Sequence, residues 1–151
     1  MHAFLLSVHV LSVILWMGGV GFVTTVFFPA MAKTEDSLQK VLLFQKIEGR
    51  FAKQARAFII LAGVTGFALL FETGRWGDLF TSSGVDVTLM VFVWTLFSLV
   101  LLFEKRLFSY LFGGKKDLSP DRVFRFLAIF HWVLLVLGLA AAAAGVWVGH
   151  G

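Results

Sequence analysis

Four long apolar segments constrain the fold of this 151-residue chain more than any other feature of its sequence. They run from Ala3 to Ala32, from Ala55 to Phe71, from Val87 to Phe103 and from Phe126 to Val148. A helix needs about 20 apolar residues to cross the roughly 30 Å hydrocarbon core of a bilayer. None of the segments alternates polar and apolar residues as the strands of a membrane barrel do. The sequence therefore predicts an all-α integral membrane protein, a four-transmembrane-helix bundle.

Composition agrees with one membrane domain over residues 1–151, with helices at about 3–32, 50–72, 86–112 and 120–149. Hydrophobic residues make up 59% of the chain and charged residues 15%, whereas a soluble domain is about half apolar and a quarter charged. The chain has no cysteine, which excludes thiolate metal sites. The first segment is too long for the apolar region of a signal peptide, so we expect it to remain a transmembrane helix.

Basic residues predict the orientation. Twelve of the 13 Lys and Arg residues lie between 33 and 56 or between 105 and 125, and only Arg75 lies in the remaining connection. The positive-inside rule places the two basic connections in the cytoplasm and both termini outside. We expect a bacterial-type cytoplasmic (inner) membrane, with the basic residues against anionic lipid headgroups. Because no motif combines aromatic and basic residues, no nucleic acid partner is expected.

Two histidines lie inside the apolar segments, where an ionisable residue is costly and indicates function. They are His9 and His131, while His2 and His150 lie at the ends of the same two helices. Imidazole suits haem iron or copper. We predict His9 and His131 as ligands of haem iron, with copper as the alternative metal.

Small residues accompany both histidines at helical spacing. His9 and Trp16 are seven residues apart and share a helix face, and Gly19 follows them; His131 and Gly138 are also seven apart. A smooth strip beside a histidine suits a porphyrin plane, so Trp16, Gly19 and Gly138 are predicted cofactor contacts. The alternative is that the glycines serve helix packing and the histidines bond to hydroxyls or backbone carbonyls.

The depth of the two histidines leaves their pairing open. His9 falls in the outer half of its helix and His131 in the inner half, so their levels differ by roughly 10–20 Å. A shared iron requires helix tilt or a shifted register. The alternative is two sites, with His9 served by His150, another side chain or a second subunit. Arg75 is a candidate for a haem propionate, and its alternative is a local pair with Glu72 or Asp78.

The stretch VHVLSVILWMGG at residues 8–19 resembles the first helix of CopD-like membrane proteins and is similar to that of HemJ-type protoporphyrinogen oxidases. The HemJ resemblance implies haem b with His9 as a ligand. Residues 27–32 and 87–103 depart from that pattern, because they lack its basic patch and its lysine. The CopD resemblance implies copper handling, with His2, His9 and His150 as the capture set.

These observations favour a membrane b-type haem protein with a redox role in electron transfer, linked to a quinol or another redox protein, or oxidising a porphyrinogen as HemJ does. If the chain is an enzyme, we expect a haem-dependent membrane oxidoreductase, since no hydrolase or phosphate-loop motif is present. One alternative is CopD-like copper binding or uptake. Another is a cofactor-free accessory subunit of a larger membrane complex or a homo-oligomer.

Overall fold

The structure is a computed structural model and describes residues 1–34, 37–112 and 120–150. Over these residues it is helical and has no strand, as predicted. The helices are α1 (His2–Phe22), α2 (Phe28–Ala32), α3 (Ser37–Glu72), α4 (Val85–Phe112) and α5 (Pro120–His150). Four helical segments are long and apolar enough to cross a membrane, namely His2–Ala32, Leu42–Glu72, Ser82–Phe103 and Asp121–Val148. The prediction of four helices that are long and apolar enough to cross a membrane is confirmed.

A π-helical turn (Val23–Phe27) joins α1 to α2 within the first span. Its cause is Pro29, which has no N–H to donate and whose ring crowds the carbonyl four residues back. The backbone widens, and the Phe28 N–H bonds to the carbonyl of Val23, five residues back. The Thr24 hydroxyl donates to the Val20 carbonyl at 2.7 Å, which adds a hydrogen bond to the backbone next to the π turn.

The helix α3 begins at Ser37, earlier than the predicted start at about residue 50. The prediction followed the apolar segment, whereas the helix extends beyond it as a mixed polar and apolar helix. Phe44 is only 3% exposed and packs between Phe27, Phe28 and Phe124. This aromatic packing fixes the early turns of α3 against the first span and α5.

The four spans form a ring in which α1 packs on α3, α3 on α4, α4 on α5, and α5 on α1. Neighbouring spans are antiparallel: Gly138 lies against the side chain of Met17, and Leu135 lies near Gly21. We call the end that holds His2, Glu72 and Val148 the terminal end. The opposite end, which holds Lys33, Arg50 and Arg122, is the basic end.

Two clusters of buried side chains fill the bundle. The central core consists of Trp16, Met17, Val20, Ile59, Val93, Phe97, Leu134, Leu135 and Ala141. The basic-end core consists of Val23, Phe27, Phe28, Met31, Phe44, Val123, Phe124 and Leu127. Many large apolar side chains point outward instead, among them Leu11, Ile14, Val64 and Val136. Such a surface is suited to lipid, where close packing of small and aromatic residues holds helices together.

Candidate functional site

His9 lies between α1 and α3. Its Nδ1 is 2.9 Å from the carbonyl oxygen of Ala62 and 3.3 Å from Oγ1 of Thr65. Gly66 makes room for the ring, because a Cβ there would come within 3.0 Å of Cε1 of His9. The small residues of α3 therefore bring its backbone close enough to hold the imidazole.

This contact fixes the tautomer of a neutral His9. A carbonyl oxygen only accepts hydrogen bonds, so Nδ1 carries the proton and donates it to Ala62. Nε2 then has a free lone pair, and it has no hydrogen-bond partner in the part of the chain that the structure describes. A bond to a backbone carbonyl is what the alternative interpretation of these histidines predicts. Histidines that bind metals are also usually held in this way, with one ring N–H on a carbonyl and the other nitrogen on the metal.

His131 has the same arrangement within α5. Its Nδ1 is 2.9 Å from the carbonyl oxygen of Leu127, one helical turn earlier. Its ring lies 4.9 Å from that of Phe28 and 6.0 Å from that of Phe130, measured between ring centroids. No hydrogen bond to its Nε2 occurs among the described residues. His131 therefore also presents an unprotonated Nε2 when it is neutral.

The two imidazoles lie far apart. His131 packs on Phe28, and Phe28 follows His9 by 19 residues along the first span. At 1.5 Å per residue this corresponds to roughly 28 Å along the bundle. His9 thus belongs to the terminal half and His131 to the basic half. One iron with both histidines as axial ligands does not fit this geometry, whereas two separate sites do.

Trp16 occupies the central core rather than an open site. It is 5% exposed and packs edge-to-face on Phe97, with ring centroids 4.6 Å apart. Its Nε1 is buried and has no hydrogen-bond partner among the described residues. A buried indole N–H without an acceptor is unusual, because such donors normally find one.

The predicted glycine contacts are occupied by protein side chains. Gly19 lies against the ring of Phe51, and Gly138 against the end of Met17. These glycines allow close helix packing, which was the alternative interpretation of their spacing. A porphyrin plane lying on Gly19 or Gly138 inside the bundle does not fit this packing. His9 and His131 are both partly exposed.

Arg75 is held by two aspartates in the connection between α3 and α4. Its two terminal nitrogens each lie 3.1 Å from an oxygen of Asp86, and its Nε lies 2.9 Å from Asp78. These hydrogen bonds, with that of Asp86 the strongest influence, raise the pKa of the Arg75 guanidinium above its ordinary value. The local pair with Asp78 is present, but Glu72 contacts His2 instead. Nothing in this arrangement directs Arg75 to a propionate.

The predicted copper set is not gathered into a cluster. His2 lies at the terminal end with Nδ1 3.2 Å from Oε2 of Glu72, about two helical turns along α1 from His9. The side chain of His150 lies outside the described residues. Among the residues that are described, no three His, Asp or Glu side chains stand close enough to hold one metal ion.

Three partners of the predicted site residues were not found from the sequence. Ala62 and Thr65 follow His9 by 53 and 56 residues, so no local spacing connects them. The pairing of Arg75 with Asp86 spans 11 residues and depends on the turn between them. The small residues at 62, 63 and 66 are the available sequence signal, because they indicate a close helix approach.

Comparison of the chain with known protein families, with characterised proteins and with solved structures finds no match. The resemblance of residues 8–19 to CopD-like and HemJ-type proteins therefore stays a prediction.

Proposed function

We propose that this chain is an integral membrane b-type haem protein with an electron-transfer role, in which His9 and His131 each ligate a separate haem. The observation that carries the proposal is the shared arrangement of the two imidazoles: each holds a backbone carbonyl through Nδ1 and leaves Nε2 without a partner. Four spans with one such histidine toward each end suit the passage of electrons across a membrane.

The protein's contribution would be to orient the ligands. The haem itself supplies one-electron redox chemistry. The Ala62 and Leu127 carbonyls fix the ring planes and make each Nε2 a better electron donor. Because side chains fill the spaces beside Gly19 and Gly138, each haem would lie at the outward side of its histidine. There, lipid, a second copy of the chain or a larger membrane complex would cover it.

The proposed orientation follows from charge. The basic end would face the cytoplasm, which puts His131 on the cytoplasmic half and His9 on the outer half of a bacterial-type inner membrane. A quinol in the bilayer or a separate redox protein would then exchange electrons with one of the two haems.

The test is the haem-to-protein ratio of the purified chain and of single histidine variants. We expect about two haems in the unchanged protein and about one in His9→Ala and in His131→Ala. His2→Ala is the matched control, since it removes an imidazole seven residues from His9 that is 53% exposed and paired with Glu72. It should leave the ratio unchanged.

Two outcomes would contradict the proposal. Loss of all haem in either folded single variant would mean one shared haem, which the separation of the histidines opposes. A folded, unchanged protein without haem would remove the redox role. Metal analysis of that colourless protein would then separate CopD-like copper binding from a cofactor-free accessory subunit.

A further inference from the structure

A groove of about 560 Å³ runs between the first span and α5 at the basic end. Its first wall consists of Thr24, Phe28, Pro29 and Ala32, and its second wall consists of Asp121, Arg122, Phe124, Arg125, Ala128 and Trp132. The volume lies within the range of small-molecule sites. The groove is separate from the Ala62 contact of His9. It is close to His131, because Phe28 lines the groove and its ring contacts that of His131.

The groove arises from the local backbone of the first span. The π turn and Pro29 interrupt the regular helix where it faces α5, and residues of both line the opening. A π turn inside a helix often marks a functional position. The Phe28 side chain closes the inner wall, because it is 5% exposed and belongs to the basic-end core.

The second wall is charged at its start and apolar further along the helix. Arg122, Arg125, Ala128 and Trp132 follow one another at intervals of three or four residues, so they lie along one face of α5. Both arginines are exposed, and the carboxylate of Asp121 at the same rim offsets one of their charges. From Arg122 to Trp132 the face is about 15 Å long, half the thickness of the hydrocarbon core.

We propose that this groove binds one anionic phospholipid, with the headgroup phosphate on Arg122 and Arg125 and an acyl chain along Ala128 and Trp132. The groove has a charged rim, followed by an apolar wall about as long as one leaflet is deep. This arrangement is complementary to a molecule with a phosphate at one end and an acyl chain at the other. Basic pockets between transmembrane helices bind anionic lipid headgroups in this manner. The proposal does not depend on the presence of haem.

The test is native mass spectrometry of the purified full chain, titrated with phosphatidylglycerol or with phosphatidylcholine of the same acyl chains. We expect one tightly bound phosphatidylglycerol, with affinity about tenfold above that of phosphatidylcholine. Arg122→Gln with Arg125→Gln should abolish the preference. Ala32→Phe should lower the occupancy without touching the arginines, because Ala32 is exposed and lines the groove.

Arg50→Gln with Lys53→Gln is the matched control. These residues are also exposed, basic and three apart at the basic end, but they do not line the groove. The preference should survive in this pair. Equal affinity for the two lipids, or equal loss in the control pair, would overturn the proposal. Displacement of the lipid by millimolar inorganic phosphate would overturn it as well, since it would identify a site for a free anion.

Discussion

Each candidate histidine is held through one ring nitrogen and leaves the other available. The His9 ring is held by α3: its Nδ1 lies 2.9 Å from the Ala62 carbonyl oxygen, and Gly66 lies against the ring. The His131 ring is held by the preceding turn of its own helix. His9 therefore depends on helix packing for its orientation, and His131 does not.

Gly66→Ala should displace the imidazole of His9, because Gly66 lies directly against the ring. The new Cβ would lie 3.0 Å from Cε1 of His9, so the ring or the helix must move, at a cost of about 1–3 kcal/mol. We expect a lower Tm. We also expect the haem spectrum to change only in the component that the His9→Ala substitution removes. Gly18→Ala is the control, since nothing lies within 4 Å of its Cβ position. An unchanged Tm and spectrum in Gly66→Ala would contradict the contact.

The Arg75 cluster stabilises the connection between α3 and α4. The carboxylate of Asp86 is 6% exposed and accepts two hydrogen bonds from Arg75, whereas the 37% exposed Asp78 accepts one. Arg75→Gln should destabilise the protein by about 1–2 kcal/mol, because it removes the partner of a buried charge that is partly screened by solvent. Asp78→Asn should cost less. Thermal unfolding in detergent measures both, and a larger effect of Asp78→Asn would contradict this assignment.

At the scale of helices, the spans were predictable because each must be apolar over about 20 residues to cross a bilayer. The π turn was not predictable in this way, since it depends on how the backbone before Pro29 rearranges when Pro29 offers no N–H donor. The start of α3 was placed too late, at about residue 50, because its first turns are not uniformly apolar. The glycines gave a correct signal of close approach but did not distinguish a cofactor from side chains such as Phe51 and Met17.

Phe44→Ala tests the early part of α3. Phe44 is 3% exposed and lies among three other aromatic rings, so its loss should cost about 3–5 kcal/mol of packing. We expect faster hydrogen exchange over residues 37–50, with slow exchange kept in the membrane-spanning part of α3. Leu42→Ala is the control, since Leu42 is 57% exposed. Equal exchange in the two variants would show that Phe44 does not hold this segment.

At the scale of the whole molecule, the antiparallel ring puts His2 and Val148 at one end and the described basic residues of both long connections at the other. Hydropathy and charge predicted this arrangement, because span count and the sign of the loops determine it. Which spans pack against each other, and at what relative height, was not predicted from the sequence. The sequence predicted a level difference of roughly 10–20 Å between the two histidines. The contacts of Phe28 with His131 and of Met17 with Gly138 show a larger separation, because α5 packs lower on the first span than the hydropathy boundaries indicated.

Cysteine labelling tests the orientation, because the natural chain has no cysteine. Phe80→Cys lies in the connection between α3 and α4, where Phe80 is 86% exposed, and Lys53→Cys lies at the basic end. In intact cells an impermeant maleimide should label the cysteine at 80. The cysteine at 53 should react only after permeabilisation. The reverse pattern would place the basic end outside.

The most direct test of the central claim is a dithionite-reduced minus oxidised absorbance spectrum of the purified, folded protein. Ligation of haem b by His9 and His131 predicts a Soret band and the α band of a reduced b-type haem. A flat difference spectrum from protein expressed with sufficient haem and shown to be folded would contradict it. The unpartnered Nε2 atoms would then be a feature of helix packing alone.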